Sequence, residues 1–316
     1  MRHGVISLGE ALIDFIPLDK ENISYQKSPG GAPANVAVGL ARLGAKSMFL
    51  GKVGDDVLGH FLKNTLKEYG VHTDYMYLDE KTRTGVVFVT LASNGERSFD
   101  FYINPSADQM LMVNEIPMEQ FEQNKILHFG SISLINDPVR TATKKAVALA
   151  KEKGMLISYD PNLRLNLWPS EMAARTGIMS MLDQADVLKI SEEELEFITG
   201  KKDLSKGLEA LGIYQIPLII ITLGADGCIV YLKGERQSVP AMKVNAIDTT
   251  GAGDAFVSGI LYQLNETEQE IDSLTIDEVV SMAQFASVSG GLAASTKGAM
   301  TALPTLEKVQ EKLHGK

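Results

Sequence analysis

The segment Pro217–Gly224, PLIIITLG, holds four consecutive aliphatic residues, Leu218 to Ile221, before a threonine and a glycine. An unbroken apolar run fits a strand buried on both faces, as in a parallel sheet covered by helices. The segments MLISYDPN and ADVLKIS have the same character, and RTATKKAVALAKEKG nearby has helical spacing. Nearer the start, GVISLGE, KSMFLGKVG and KILHFGSIS are strand-like, while PANVAVGLARLG and VLGHFLKNTLKEYG suit helices. This alternation predicts an α/β fold, a doubly wound, mostly parallel sheet flanked by helices. No repeat or low-complexity linker divides the chain, so one domain is expected over residues 1–316.

Two segments break the rhythm. Residues 12–30 carry no helical pattern, and 84–103 read as two alternating strands joined by Asn94-Gly95, a hairpin signal. Together they predict a small β-sheet projecting as a lid, with a decorated edge of the main sheet as the alternative. In VVFVTL, Val87, Val89 and Leu91 share a face by period-two alternation. An uncovered apolar face of this kind would pack against a second subunit, which predicts a homodimer through the lid.

Composition excludes several classes. Thirty Lys and Arg against 40 Asp and Glu give a formal charge of −10, which argues against nucleic acid or an anionic membrane as partner. The single cysteine, Cys228, rules out an internal disulfide and reads as a packed core thiol. His3, His60, His72, His128 and His314 have no metal-ligand spacing and read as structural or surface residues. The N-terminus lacks a signal-peptide pattern and no stretch has the ~20 apolar residues of a membrane span, so a cytoplasmic protein is expected.

Two glycine-rich stretches carry the chemistry. In DTTGAGDAF, residues 248–256, Gly251 and Gly253 precede a helical run. A glycine turn before a helix aims backbone N–H groups at one point and suits an anion. Asp254 at that point is either a helix cap or a group placed to take a proton. In SPGGAPANVAVGLARLG, residues 28–44, Gly30 and Gly31 allow close approach, Pro33 suits a helix start, and Asn35 offers donor and acceptor. A helix start needing tight packing explains this stretch equally well. Asp14, on the preceding strand, adds a carboxylate suited to vicinal hydroxyls. Neither a P-loop nor a dinucleotide fingerprint is present, which disfavours a dinucleotide-dependent oxidoreductase.

Taken together, GGAPANVAVGLARLG and DTTGAGDAF resemble the two signatures of the PfkB (ribokinase-like) carbohydrate kinase family. GE before Asp14, GKVGDDVLG (51–59), DPNLR (160–164) and TLGADG (222–227) extend the resemblance over essentially the whole chain. It implies a kinase using ATP with Mg2+, in which Asp254 is the base that receives the proton of the attacking sugar hydroxyl. The backbone N–H groups of Gly251, Ala252 and Gly253 would form an anion hole, and Arg164 would sit near the transferred phosphate. Asp14, Gly30, Gly31 and Asn35 would hold the sugar. Ser191, standing where the family has Asn, and Glu194 would serve the nucleotide, with Glu194 reaching magnesium through water. The alternative for that acidic run is a solvated helix start. Thr222, Gly224, Gly227 and Ser287 would also line the nucleotide, although a strand-to-strand turn accounts for the TLGADG glycines too. By the same resemblance Asp248, Thr250, Ala293, Thr296 and Gly298 would supply oxygens to a monovalent cation, K+.

DPNLRLNLW and FYINPSADQML look most like a fructokinase-like branch, although that branch commonly has arginine where this chain has Ile103. Fructose is therefore the expected sugar. 2-Keto-3-deoxygluconate, ribose and aminoimidazole riboside are the alternatives, and a sugar- or nucleotide-binding regulator without turnover is the reading from a different class.

Overall fold

The computed structural model describes residues 2–91 and 97–315. The strands, in chain order, begin with β1 (Val5–Leu8), β2 (Leu12–Pro17), β3 (Tyr25–Gly30), β4 (Ser47–Gly54), β5 (Met76–Asp79), β6 (Val86–Leu91) and β7 (Arg97–Phe101). They continue with β8 (Ile126–Phe129), β9 (Leu156–Tyr159), β10 (Val187–Ser191), β11 (Leu218–Thr222), β12 (Cys228–Leu232) and β13 (Glu235–Val239). Nine of them form one sheet in the order β13-β12-β11-β10-β9-β8-β1-β4-β5. Pairing is parallel from β5 across to β11, and only β12 and β13 join antiparallel. The doubly wound architecture read from the sequence is therefore the one observed.

Alternation within LIIIT shows why its first four residues are apolar. Ile219 and Ile221 enter a core with Leu127, Ile157 and Ile190, on one side of the sheet. Leu218 and Ile220 enter another with Val187, Phe256 and Ala283, under the helices Ala252–Glu266 and Ile276–Ala294. Cys228 packs in that second core as expected, and burial pushes its thiol up to about 12. His128 on β8 is buried, its Nδ1 3.0 Å from Ser158 Oγ, and burial lowers its pKa to about 3, so the ring is neutral. Strand order reverses at β1, which lies between β8 and β4, and such a reversal opens a crevice at the carboxyl ends of the strands. No helix among the described residues is long and apolar enough to cross a membrane.

The irregular segments form a separate four-stranded sheet, β3-β2-β6-β7. Strands β6 and β7 pair antiparallel, from Val87 opposite Phe101 to Leu91 opposite Arg97. The Asn94-Gly95 turn expected between them lies outside the described residues. One expectation fails here. Val87 and Val89, read as a face needing a second surface, are already buried within the chain at 2% and 4% exposure. The half-buried aromatic group is a different one: Phe88 stacks on Phe15 at 5.0 Å and meets Tyr25 and Tyr102 edge-on.

Candidate active site

Helices Ala32–Arg42 and Ala252–Glu266 start at the crevice and pack closely enough that side chains from their first turns meet. Gly39 permits this approach, since a Cβ there would lie 2.2 Å from Ser258 Oγ. Asp254 Oδ2 accepts a hydrogen bond from Asn35 Nδ2 at 2.8 Å, and both residues are buried. Asn35 Oδ1 is enclosed with no partner. The cap reading of Asp254 does not hold: Gly251 is the N-cap, left-handed at φ 76°, and Asp254 sits inside the first turn. Burial raises Asp254 from 3.8 to about 6; the Asn35 bond opposes the rise, Asp160 adds to it, and Lys189 and Arg164 oppose it. A carboxyl of that pKa is ionised at neutral pH and remains basic enough to take a proton.

Asp14, in the middle of β2, comes to the same place. Its pKa is raised to about 7 by burial, with Arg164 opposing and Asp254 adding to the shift. Gly30 makes room for it, because a Cβ there would meet Asp14 Oδ2 at 2.2 Å. Gly31 has φ 103° and lies against the Glu10 carbonyl, where a Cβ would come within 2.4 Å, so the close-packing account holds for both glycines. Beside them a cavity of about 360 Å³ opens between the main and small sheets. Its wall includes Glu10, Asp108, Gln109, Asn136 and Asn166 with Ile103 and Phe99, and no Lys, Arg or His among the described residues. Glu10, which received no role in the sequence reading, accepts from Ala32 N–H and is pushed up to about 8, mainly by burial and further by Asp108. Asp108 Oδ1 is enclosed without a partner.

Arg164 is exposed, with Nη1 donating to the Leu163 carbonyl, and electrostatically it reaches Glu10, Asp14 and Asp254. Its loop is pinned from below: Glu194 Oε1 accepts from Leu163 N–H at 2.7 Å. Glu194 Oε2 accepts from Ser191 N–H, and Ser191 Oγ accepts from Glu194 N–H, a reciprocal cap on the helix Glu192–Thr199. The helix-start reading is thus correct for Glu194, but the carboxylate is buried rather than solvated.

Of the three expected anion-hole donors, Ala252 N–H is already committed to the Thr249 carbonyl at 3.1 Å. A turn at the helix start thus engages the Ala252 donor, one of the three expected. Facing Gly253 from β10 is Lys189, whose Nζ would lie 3.6 Å from a Cβ on that glycine. The sequence reading missed this lysine and its partner, Asp160.

The other residues expected to line a nucleotide are more dispersed. Thr222 Oγ1 donates to the Ile190 carbonyl. Gly227, at φ 102°, packs on β13 where a Cβ would meet the Val239 carbonyl at 2.1 Å, so the turn reading accounts for it. Gly224 is left-handed at φ 57° with open space beside it. Ser287 Oγ accepts from Met242 N–H and ties the post-β13 loop to the long helix. The loop residues expected around a monovalent cation are drawn together by Asp248: Oδ1 accepts from Thr250 N–H and Oγ1, and Oδ2 accepts from Gly298 N–H. Thr296 N–H donates to the Ala293 carbonyl in the same turn.

Residues 2–306 match the description of the pfkB family carbohydrate kinases. The chain is 44% identical over 308 residues to probable fructokinase-2 of Arabidopsis thaliana, covering 95% of this chain and 93% of that one. A double mutant of Vibrio cholerae O395 fructokinase, solved with fructose, ADP and a potassium ion, superposes with a TM-score of 0.90 at 41% identity over 98% of each chain. Aminoimidazole riboside kinase of Salmonella enterica, solved with aminoimidazole riboside and an ATP analogue, gives a TM-score of 0.89 at 32% identity, covering 98% and 99%.

Proposed function

The chain belongs to the pfkB family of carbohydrate kinases, and we propose that its sugar is fructose, phosphorylated by MgATP with Asp254 as the base. The observation that carries the reading is the buried Asp254–Asn35 pair at a helix N-terminus, near a polar cavity that Glu10 and Leu12 line and that has no basic side chain among its described residues. A sugar in that cavity presents a hydroxyl to Asp254, and a second hydroxyl satisfies the enclosed Asn35 Oδ1. Asp14, Gly30 and Gly31 hold the remaining hydroxyls. As the sugar oxygen attacks the γ-phosphorus, its proton passes to Asp254 and ADP leaves. Charge on the phosphoryl oxygens is met by the N–H groups of Gly251 and Gly253 and by Arg164.

Carboxyl and amide groups lining the cavity, with no basic side chain among the described residues to pair with a carboxylate, suit a neutral polyol better than a sugar acid, which sets fructose ahead of 2-keto-3-deoxygluconate. The higher identity to the Vibrio fructokinase than to the Salmonella riboside kinase favours fructose over aminoimidazole riboside. Glu194 accepts one backbone bond on each oxygen and keeps lone pairs for the water shell of a magnesium ion, which would shield the nucleotide phosphates. The two loops that Asp248 joins through Thr250 and Gly298 would hold potassium, the ion named with the Vibrio enzyme. Thr222, Gly224 and Ser287 border the nucleotide. The small sheet acts as the lid, in a cytoplasmic homodimer.

ADP release measured with fructose, ribose, 2-keto-3-deoxygluconate and aminoimidazole riboside tests the assignment. Highest kcat/KM with fructose is expected. Preference for another sugar overturns the substrate, and release with none of them favours a non-catalytic regulator.

A further inference from the structure

Strand β7 is one edge of the small sheet, whose order is β3-β2-β6-β7. An edge strand leaves the backbone groups of every other residue without a strand partner. Tyr102 N–H donates to the Val86 carbonyl, so the hydrogen-bonded pairs with β6 continue at Asp100 opposite Phe88 and Ser98 opposite Thr90. Phe99, opposite Val89, falls between them, and its carbonyl therefore points away from β6. Asn166 Nδ2 donates to that carbonyl at 3.1 Å, from 67 residues further along the chain. Both residues line the cavity assigned to the sugar.

Asn166 belongs to the main body, in the 3-10 turn Leu165–Leu167. The turn is fixed at both ends. Before it, Glu194 Oε1 accepts from Leu163 N–H, and Leu167 N–H closes the turn on the Arg164 carbonyl at 2.9 Å. After it, the Trp168 ring is buried in the core that holds Leu188 and Ile190. The ring packs so closely on Gly177 that a Cβ there would come within 2.4 Å of it. Asn166 itself is exposed, so water would satisfy its amide and the bond adds little to folding stability. What the bond does is join two walls of the cavity, a fixed turn and an open sheet edge.

We propose that Asn166 is a positioning residue that latches the small sheet over the bound sugar, by holding the free edge of β7 to a turn fixed in the main body. It stays clear of the reacting atoms. Its bond breaks when the small sheet swings away, so it lengthens the stay of the sugar and leaves nucleotide binding alone. This rests on the reading of the cavity as the sugar site and of the small sheet as its lid. The chemistry of the contact is specific because the partner is a carbonyl. An amide donates to it, whereas a carboxylate of the same shape has no proton to give and repels it. A sugar hydroxyl, by contrast, donates to a carboxylate as readily as to an amide oxygen.

The test compares sugar with nucleotide. Dissociation constants of fructose and of MgADP, with thermal unfolding midpoints, are measured for the wild type, Asn166→Ala, Asn166→Asp and Asn166→Gln. Loss of one neutral hydrogen bond should weaken fructose about fivefold in Asn166→Ala. Asn166→Asp should weaken it more, and Asn166→Gln, which keeps the amide on a longer arm, should weaken it less. The MgADP constant and the unfolding midpoint should stay at their wild-type values. Wild-type fructose affinity in Asn166→Asp overturns the proposal, because the partner of residue 166 would then be a sugar hydroxyl or nothing. Equal weakening of fructose and MgADP overturns it too, as the mark of a merely structural contact. Wild-type protein that binds MgADP but no fructose defeats the reading of the cavity instead.

Discussion

Replacing Asp254 by asparagine should move activity and stability in opposite directions. Burial raises the Asp254 pKa from 3.8 to about 6, so the folded protein holds this carboxyl in its ionised form at a cost. Roughly two pKa units correspond to ~3 kcal/mol of lost stability once the group is fully ionised. The sign follows from the raised value. The cost is absent below the unfolded pKa, grows as pH rises, and is complete above the folded pKa. At about pH 8 the whole ~3 kcal/mol applies, and at about pH 5 about half of it. Asparagine cannot ionise, and its Oδ1 still accepts from Asn35 Nδ2, the bond now made at 2.8 Å. Asp254→Asn should therefore unfold at higher urea than wild type, with a larger gain at pH 8 than at pH 5. Turnover of fructose should fall by ~10²-fold or more, because the base is gone. MgATP affinity should be unchanged. The reasoning fails if the variant is less stable than wild type at pH 8 with an unchanged urea slope, or if it keeps more than a tenth of the wild-type rate.

The wild-type kcat/KM for fructose should decline as pH drops through about 6, where Asp254 takes up its proton; a flat profile from pH 5 to 8 contradicts its role as base. Asn35→Ala removes a hydrogen bond that favours the ionised carboxylate, so the acidic limb should move to higher pH and the KM for sugar should rise; an unmoved limb would show that the bond is not formed in the working enzyme. Potassium should raise the rate above that in sodium or a bulky organic cation at matched ionic strength, through the loops joined by Asp248 and Gly298, and equal rates would remove that site. Ile23 and Tyr102, at 79% and 76% exposure, lie with Leu18 and Phe99 among the exposed apolar side chains of the small-sheet region, so Tyr102→Glu should weaken dimerisation and raise sugar KM; wild-type protein sedimenting as a fully active monomer at micromolar concentration would refute this.

The main sheet was readable because strands buried on both faces leave an unbroken apolar signature. Leu218 to Ile221 feed two cores at once, and no other common environment asks that of four consecutive residues. The small sheet was readable as strands but not as a surface. Alternation says that Val87 and Val89 share a side, and it does not say which part of the same chain will cover them. The glycine stretches were readable because each glycine answers a local steric demand. Gly31 lies where any side chain would strike the Glu10 carbonyl, and Gly30 where it would strike Asp14.

Lys189 and Asp160 had no comparable signal. Their partnership depends on the register of β9 against β10, 29 residues apart in sequence, and a lone lysine in a strand-like run gives no sign of its neighbour. Glu10 was hidden differently, as one acid after a strand whose depth only the crevice reveals. Glu194 shows why a bland reading and a functional one need not compete. A glutamate three residues after a helix-opening serine is a capping pattern, and Ser191 with Glu194 makes that box. The cap uses only one carboxylate oxygen. The other holds Leu163 N–H, and so fixes the backbone next to Arg164, whose charge acts on Asp14 and Asp254. Serine at position 191 keeps this arrangement as well as asparagine would, since both residues cap helices. The departure from the family pattern therefore leaves the placement of Arg164 intact.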